Sequence, residues 1–159
     1  MIETPRIVQT TPLELALIHL TIPKDQIQHV MGPGITELRA AVAAQGIEVT
    51  GAWLTHHLKI DAAGWDFEIC VPVARPIAPA GRVRPGRWPA MTVGRTDLHG
   101  GYEQLPMAWP ELDTWIAVGG HTAAPDLWEV YLVDPETNAD PLAWRTQLNR
   151  PLVAVAPKG

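Results

Sequence analysis

The chain has 159 residues, a formal net charge of −5 and a single cysteine, with 47% apolar and 18% charged residues. This composition is typical of one compact domain over residues 1–159 and argues against disorder. The acidic balance argues against direct nucleic-acid binding through a basic face. No apolar run is long enough for a membrane span, and the first five residues do not resemble a signal peptide. We therefore expect a cytoplasmic protein that does not contact a membrane.

The first half predicts strands around one helix. Alternating apolar residues predict a strand over residues 6–22, which Pro12 could interrupt. Asp25 and Gln28 have the spacing of a capping box, and Gly46 suits the residue after a helix. Apolar residues at helical spacing lie between them: Ile27, Val30, Met31, Ile35, Leu38, Ala41 and Val42. Gly32-Pro33-Gly34 should weaken or kink this helix, and strands are predicted over residues 51–60 and 65–73.

The second half repeats this order. Residues 74–86 are rich in Pro, Gly and Arg, which is typical of either a lid or an inert crossover between the halves. A strand is predicted over residues 88–98, followed by a turn at Gly100-Gly101-Tyr102. Helical spacing follows, up to Gly119-Gly120, in Leu105, Trp109, Leu112, Trp115 and Ile116. Strands are predicted over residues 126–133 and around 146–152.

Each half therefore has the order strand, helix, strand, strand. The halves, about residues 1–75 and 82–155, agree in pattern and not in residue identity, which indicates a duplicated βαββ unit. Two such units predict an α+β fold, an antiparallel sheet with two main helices on one side. The groove between the halves is then the expected ligand cleft.

A lone carboxylate lies inside an apolar strand in each half. Glu68 is flanked by Phe67 and Ile69, and Glu129 by Trp128 and Val130. Burying an ionised Glu without a partner is costly, so a carboxylate in such a strand indicates a site. Because the pattern places the two residues alike in the repeat, the sequence predicts a pocket with an acidic floor.

Strand alternation predicts which side chains accompany each carboxylate. Glu129 and Tyr131 are two residues apart and share a face, whereas Trp128 lies on the other face. Glu68 shares its face with Asp66 and Cys70. For both carboxylates a solvent-exposed sheet face is the alternative, so the sequence leaves open which of the two faces the pocket.

The chain resembles the gyrase-inhibitor-like (GyrI-like) small-molecule-binding family, which also supplies the effector-binding domain of bacterial multidrug and AraC-type transcription regulators. The resemblance rests on short motifs in order, and it covers nearly the whole chain. These are residues 65–68 (WDFE), 71–73 (VPV), 100–103 (GGYE), Trp109, Trp115, 128–131 (WEVY), 144–146 (WRT) and 151–152 (PL).

The resemblance implies a duplicated βαββ fold with a central aromatic pocket and a buried glutamate, binding hydrophobic and often cationic compounds. Some stand-alone members are similar to hydrolases that open the cyclopropane ring of DNA-alkylating natural products. Regulators of the family carry a helix-turn-helix in addition. The chain leaves no room for one, so we expect a stand-alone protein without a DNA-binding domain.

Further pocket residues are expected around Glu129. The family pattern makes Tyr102 the next candidate, and Trp53, Trp115 and His57 are candidates for the pocket wall, although a buried Trp is more often a core residue. His56 and His57 are adjacent on a strand and cannot chelate one ion, so we expect no metal and no cofactor. Cys70 has no evident basic partner and is not expected to be a nucleophile.

Two functions remain open from the sequence. In the first, the pocket binds hydrophobic, cationic or aromatic small molecules, with Glu129 as the counter-charge and Tyr131, Tyr102 and Glu68 around it. In the second, Glu129 or Glu68 is the general base and Tyr102 or Tyr131 the acid of a hydrolase that opens cyclopropane rings, with Glu129 and Tyr102 preferred. A module that binds another protein is a third possibility. The ligand and the oligomeric state do not follow from the sequence.

Overall fold

The computed structural model describes residues 2–23, 26–60, 64–135 and 137–153. Within these ranges the chain forms eight strands and two α-helices. In chain order they are β1 (Arg6–Gln9), β2 (Leu13–Ile22), α1 (Ile27–Ala44), β3 (Leu54–Ile60), β4 (Trp65–Pro72), β5 (Arg84–Trp88), β6 (Thr92–His99), α2 (Leu105–Val118), β7 (Leu127–Val133) and β8 (Arg145–Pro151).

The chain divides into two compact units. The N-terminal unit is Thr11–Ala90, and the C-terminal unit joins Met1–Thr10 to Met91–Gly159. The first residues belong to the C-terminal unit because β1 pairs antiparallel with β6, with Ile7 opposite Gly94. The compact units are thus a different division of the chain from the repeat halves expected from the sequence.

In the N-terminal unit four antiparallel strands lie in the order β3-β4-β2-β5, and α1 packs against one face of them. Helix and sheet come close at Gly34, where a Cβ would lie 2.7 Å from Cδ1 of Ile69. The face that carries Phe67, Ile69 and Val71 is fully buried, which is why these apolar positions alternate along β4.

In the C-terminal unit four antiparallel strands lie in the order β7-β8-β6-β1, with α2 against one face. Here the glycine is on the strand: a Cβ at Gly94 would lie 2.8 Å from Cδ1 of Ile116. The core under the helix consists of Leu98, Ala108, Leu112, Ile116 and Leu148.

The two units share one scheme of backbone hydrogen bonds. After each helix a main-chain N–H returns to the helix, from Ile47 to Val42 at 3.2 Å and from His121 to Ile116 at 3.1 Å. Both units also carry an isolated bridge between the segment after the helix and the residue after β4 or β8, Val49 with Val73 and Ala123 with Leu152. Positions in the two units can therefore be matched residue by residue.

The α+β fold with antiparallel strands and two helices is confirmed, and each helix ends beside the expected glycine, Gly46 or Gly119. As expected, residues 6–22 are interrupted near Pro12, which lies between β1 and β2, and α1 includes Pro33. One detail differs: residues 88–98 are split between β5 and β6. The predicted capping box involves Asp25, which lies outside the described residues. None of the described helices is long and apolar enough to cross a membrane.

Candidate functional site

The carboxylate of Glu129 lies between α2 and the sheet of the C-terminal unit. Only 6% of the residue is exposed. Its Oε1 accepts a hydrogen bond from the Tyr131 hydroxyl at 2.7 Å, and its Oε2 accepts one from Nε1 of Trp109, also at 2.7 Å. The expectation that Glu129 and Tyr131 share a face is confirmed. Both donors are neutral groups, and hydrogen bonds of this kind are stronger to a carboxylate than to a neutral acceptor.

Aromatic rings continue from Tyr131 toward the surface. The ring of Tyr102 meets that of Tyr131 edge to face at 5.8 Å, and it stacks on Trp144 with a centroid distance of 5.3 Å. Trp144 is held in turn by a hydrogen bond from its Nε1 to the carbonyl of Asn138 at 2.8 Å. Tyr102 and Trp144 are half-buried, so the aromatic cluster runs from the buried carboxylate to partly accessible side chains.

The turn before α2 brings Tyr102 to this place. Gly100 has a φ of +116°, a backbone conformation that residues with a side chain rarely adopt. Tyr102–Gln104 then forms one turn of 3₁₀ helix. The N–H of Gly100 donates to the carbonyl of Trp144 at 2.9 Å, which ties the turn to the segment that carries the stacking partner. The geometry of this turn therefore explains why glycine precedes Tyr102 in the Gly-Gly-Tyr motif.

A buried hydroxyl lies next to Tyr131 on the same face. Thr146 is directly opposite Tyr131 in the β7–β8 pair and has no exposed surface. Its Oγ1 has no hydrogen-bond partner among the described residues. An unsatisfied hydroxyl in a core is costly, and it is a feature that a bound ligand or water would relieve.

Glu68 does not have the place in its unit that Glu129 has. It is opposite His19 on β2 and His56 on β3, on the face of β4 away from α1. Its carboxylate contacts Nδ1 of His56 at 3.2 Å. The expectation that the two glutamates are placed alike is wrong, because the covered face of β4 is the one with Ile69.

The strand register identifies the true counterparts. Thr55 lies opposite Ile69 in the N-terminal unit, as Glu129 lies opposite Leu148 in the C-terminal unit. The irregularity after His57 in β3 also recurs after Tyr131 in β7. Thr55 and His57 thus occupy the places of Glu129 and Tyr131, and they too contact each other, at 3.0 Å between Oγ1 and Nε2.

The other candidates are distributed between the units. His57 and Trp53 are buried in the N-terminal unit, where His57 stacks on Phe67 at 5.3 Å. Trp115 lies on α2 and packs against the apolar core under that helix. Of the seven predicted residues, the structure brings Glu129, Tyr131 and Tyr102 together in one cluster.

Two members of the cluster, Trp109 and Trp144, were not predicted as site residues. The helical spacing contains both Trp109 and Trp115, and spacing alone does not tell which indole reaches a carboxylate. Trp144 comes directly before the last strand, and its role depends on the turn that carries Tyr102. The only signal in the sequence was their membership in the family motifs.

Metal and thiol chemistry find no support in the described parts of the chain. In those ranges no group of three His, Cys, Asp or Glu residues could hold a metal ion. Cys70 is fully buried, and burial raises the pKa of its thiol well above the usual value, with a further contribution from the charge of Glu68. A neutral thiol in the core is a poor nucleophile.

The fold is shared with solved structures of low sequence identity. The C-terminal domain of EcmrR is 18% identical, with a TM-score of 0.85, and the match covers 96% of this chain and 98% of that domain. In the cryo-EM structure of an EcmrR–DNA complex the match covers 58% of the EcmrR chain, so this chain spans less than two thirds of it. No family model and no curated protein matches the sequence.

Two further structures share the fold at lower similarity. A hydrolase encoded by lin2189 from Listeria innocua is 11% identical, with a TM-score of 0.68 over 94% of this chain and 91% of that one. SAV2435, solved bound to tetraphenylphosphonium, is 13% identical, with a TM-score of 0.64 over 96% and 95%. At such identities the likeness shows the fold alone, and it is the fold that the GyrI-like resemblance predicted.

Proposed function

We propose that the chain binds hydrophobic cationic or aromatic small molecules beside Glu129. The observation that carries this proposal is a buried carboxylate whose two oxygens accept hydrogen bonds from Tyr131 and Trp109, next to the rings of Tyr102 and Trp144. A fixed negative charge among aromatic faces attracts a cation, and stacking adds about 0.5–2 kcal/mol per ring. The structure of SAV2435 with a lipophilic cation supports the same class of ligand for this fold.

The test compares a cation with a neutral analogue. Dissociation constants of tetraphenylphosphonium and of neutral triphenylphosphine oxide are measured for the unmodified protein and for Glu129→Gln. Because only the cation uses the charge, we expect its affinity to fall about tenfold or more, while the neutral compound changes little.

The matched control is Glu111→Gln. Glu111 is exposed on α2, so this variant makes the same change in net charge in the same unit without touching the site. Equal weakening of both ligands in Glu129→Gln, or the same loss in Glu111→Gln, would contradict the counter-charge role. Glu68→Gln, measured alongside, decides whether the second predicted glutamate contributes.

Hydrolysis of a strained ring is the second candidate, favoured by a carboxylate and two phenols in one cluster. Glu129 would take a proton from water while the hydroxyl oxygen bonds to a cyclopropane carbon. The ring C–C bond breaks, its electrons move to a conjugated carbonyl oxygen, and that oxygen takes a proton from Tyr102. The proton on Glu129 then returns to the phenolate through solvent, so the net change is the addition of one water.

Mass spectrometry separates the two candidates. The protein is incubated with a cyclopropane-bearing alkylating compound, and a product heavier by one water is sought. Glu129→Gln and Tyr102→Phe should each abolish turnover and retain substrate uptake. If both variants turn over normally, the catalytic roles are wrong; if the unmodified protein binds the compound and never converts it, the first proposal alone stands.

A further inference from the structure

A charged side chain lies behind the indole that donates to Glu129. The guanidinium of Arg150 is 5.0 Å from the ring centroid of Trp109, and Nε1 of Trp109 donates to Glu129 at 2.7 Å. The Arg150 side chain is only 12% exposed. A cation on one side of an indole and a carboxylate at its N–H form a continuous polar chain through an aromatic ring.

Arg150 is held rigidly. Its Nε and one terminal nitrogen donate to the two carboxylate oxygens of Asp113, each at 3.0 Å. Its other terminal nitrogen donates to the carbonyls of Asp126 at 3.2 Å and Ala124 at 3.4 Å. Asp113 is four residues after Trp109 on α2, so one face of the helix carries both the indole and the anchor of the guanidinium.

This arrangement acts on the donor strength and direction of Trp109. A cation over the face of an indole draws electron density from the ring, which makes the N–H a stronger donor to a carboxylate. The fixed guanidinium plane also limits rotation of the indole. Both effects hold the Trp109 N–H on Glu129 and so fix the direction of the carboxylate.

The N-terminal unit shows that the fold does not need this chain of contacts. The register matches Arg150, opposite Gly94, with Val71, opposite Ala16. Counted back from the matched helix ends, Trp109 corresponds to Ile35 and Asp113 to Arg39. The N-terminal unit has the same backbone scheme with none of the three side chains. The shared backbone scheme therefore does not require Arg150, Trp109 and Asp113, and their presence in the C-terminal unit calls for a functional reason.

We propose that Arg150, anchored by Asp113, is a positioning residue that acts through Trp109 on Glu129 and sets the preference of the site for cationic over neutral ligands. This inference rests on the proposed binding function. It makes a prediction opposite in sign to that of simple electrostatics. Removal of a positive charge near the site should strengthen cation binding by Coulomb's law, whereas loss of positioning should weaken it.

The experiment measures affinities for tetraphenylphosphonium and triphenylphosphine oxide in Arg150→Met, Arg150→Lys and Asp113→Asn. We expect the ratio of cation to neutral affinity to fall about 3- to 10-fold in Arg150→Met. The ratio should fall by less in Arg150→Lys, which keeps the charge without the planar fork. The ratio should also fall in Asp113→Asn, because this substitution frees the Arg150 guanidinium.

A double-mutant cycle shows whether the effect passes through the indole. In a Trp109→Phe background, which lacks the N–H, Arg150→Met should change the affinity ratio no further. Retained binding of the neutral ligand reports that each variant is folded. If Arg150→Met does not fold, Arg150→Lys carries the same test, because it keeps the charge and loses only the planar fork.

Two failures can be told apart. An affinity ratio that rises or stays constant in Arg150→Met, with Glu129→Gln still abolishing the preference, overturns the positioning role and leaves the binding function intact. An equal loss from Arg150→Met in the Trp109→Phe background overturns it as well. No preference for the cation in the unmodified protein overturns the binding function on which the inference rests.

Discussion

The two units of this chain have the same backbone scheme and different chemistry at matched places. Where the C-terminal unit has Glu129 and Tyr131 on β7, the N-terminal unit has Thr55 and His57 on β3. The two residues of each pair contact each other. The Tyr131 hydroxyl donates to Glu129 at 2.7 Å, and Oγ1 of Thr55 lies 3.0 Å from Nε2 of His57. The shared backbone scheme thus holds a hydroxyl and an imidazole in one unit and a carboxylate and a phenol in the other.

The aromatic clusters differ in the same way. In the N-terminal unit Trp65, Phe67 and His57 all come from the sheet, with Phe67 stacked on His57. At the place that matches Phe67 the C-terminal unit has the small Thr146. The ring that contacts both Tyr131 and Trp144 there is Tyr102, which comes from the turn before α2. The comparison teaches that one backbone scheme carries different side chains at matched places, and the following variants test what those side chains contribute.

The largest expected effect is on the helix–sheet contact that each unit makes with a glycine. Gly94→Val and Gly34→Val insert side chains where even a Cβ would come within 2.8 Å or 2.7 Å of an isoleucine. Because Val inserts three carbon atoms, we expect each to lower the free energy of unfolding by about 3 kcal/mol or more, measured by urea titration. Gly32→Ala is the control, because nothing lies within 4 Å of its Cβ, and it should not destabilise. If Gly94→Val costs nothing, α2 does not sit as close to β6 as the structure shows.

The second effect is loss of a hydrogen bond to a charged group. Tyr131→Phe removes the hydroxyl that donates to Glu129 and should cost about 1.5–3 kcal/mol of unfolding free energy at neutral pH. The cost should shrink in a Glu129→Gln background, where the acceptor is neutral. Equal costs in both backgrounds would show that the hydroxyl contributes through packing and not through the carboxylate.

The third effect has opposite signs in the two units. Thr146→Val replaces a buried hydroxyl that has no partner among the described residues and should stabilise the protein by about 1 kcal/mol. Thr55→Val removes the contact with His57 and should destabilise it by about 1 kcal/mol. Thermal unfolding of the two variants measures both. A destabilising Thr146→Val would mean that a bound water or ligand satisfies that hydroxyl in solution.

The smallest effect is the reactivity of Cys70. Its raised thiol pKa means that almost no thiolate exists at pH 8, and the side chain is fully buried. We expect alkylation by iodoacetamide only when urea unfolds the chain. Rapid labelling of the native protein would show that β4 opens readily and that the burial of Cys70 does not protect it in solution.

The sequence by itself determined the elements and much of their order. Glycine at the helix ends, helical spacing in both helices and alternation in the strands were sufficient for two βαββ units, because these signals depend on neighbours close in the chain. Alternation also placed Glu129 and Tyr131 on one face, which is the condition for the hydrogen bond that the structure shows between them. The short motifs pointed to Tyr102.

Tertiary structure alone decided which face each helix covers and which residues match between the units. Alternation states that Glu68 and Cys70 share a face, but not that α1 covers the opposite one. The pairing of β3 with β4 and of β7 with β8 made Thr55, and not Glu68, the counterpart of Glu129. Likewise, the rotation of α2 selected Trp109 over Trp115 as the donor. Register and helix rotation are fixed by packing between residues far apart in the chain, and a local pattern carries no record of them.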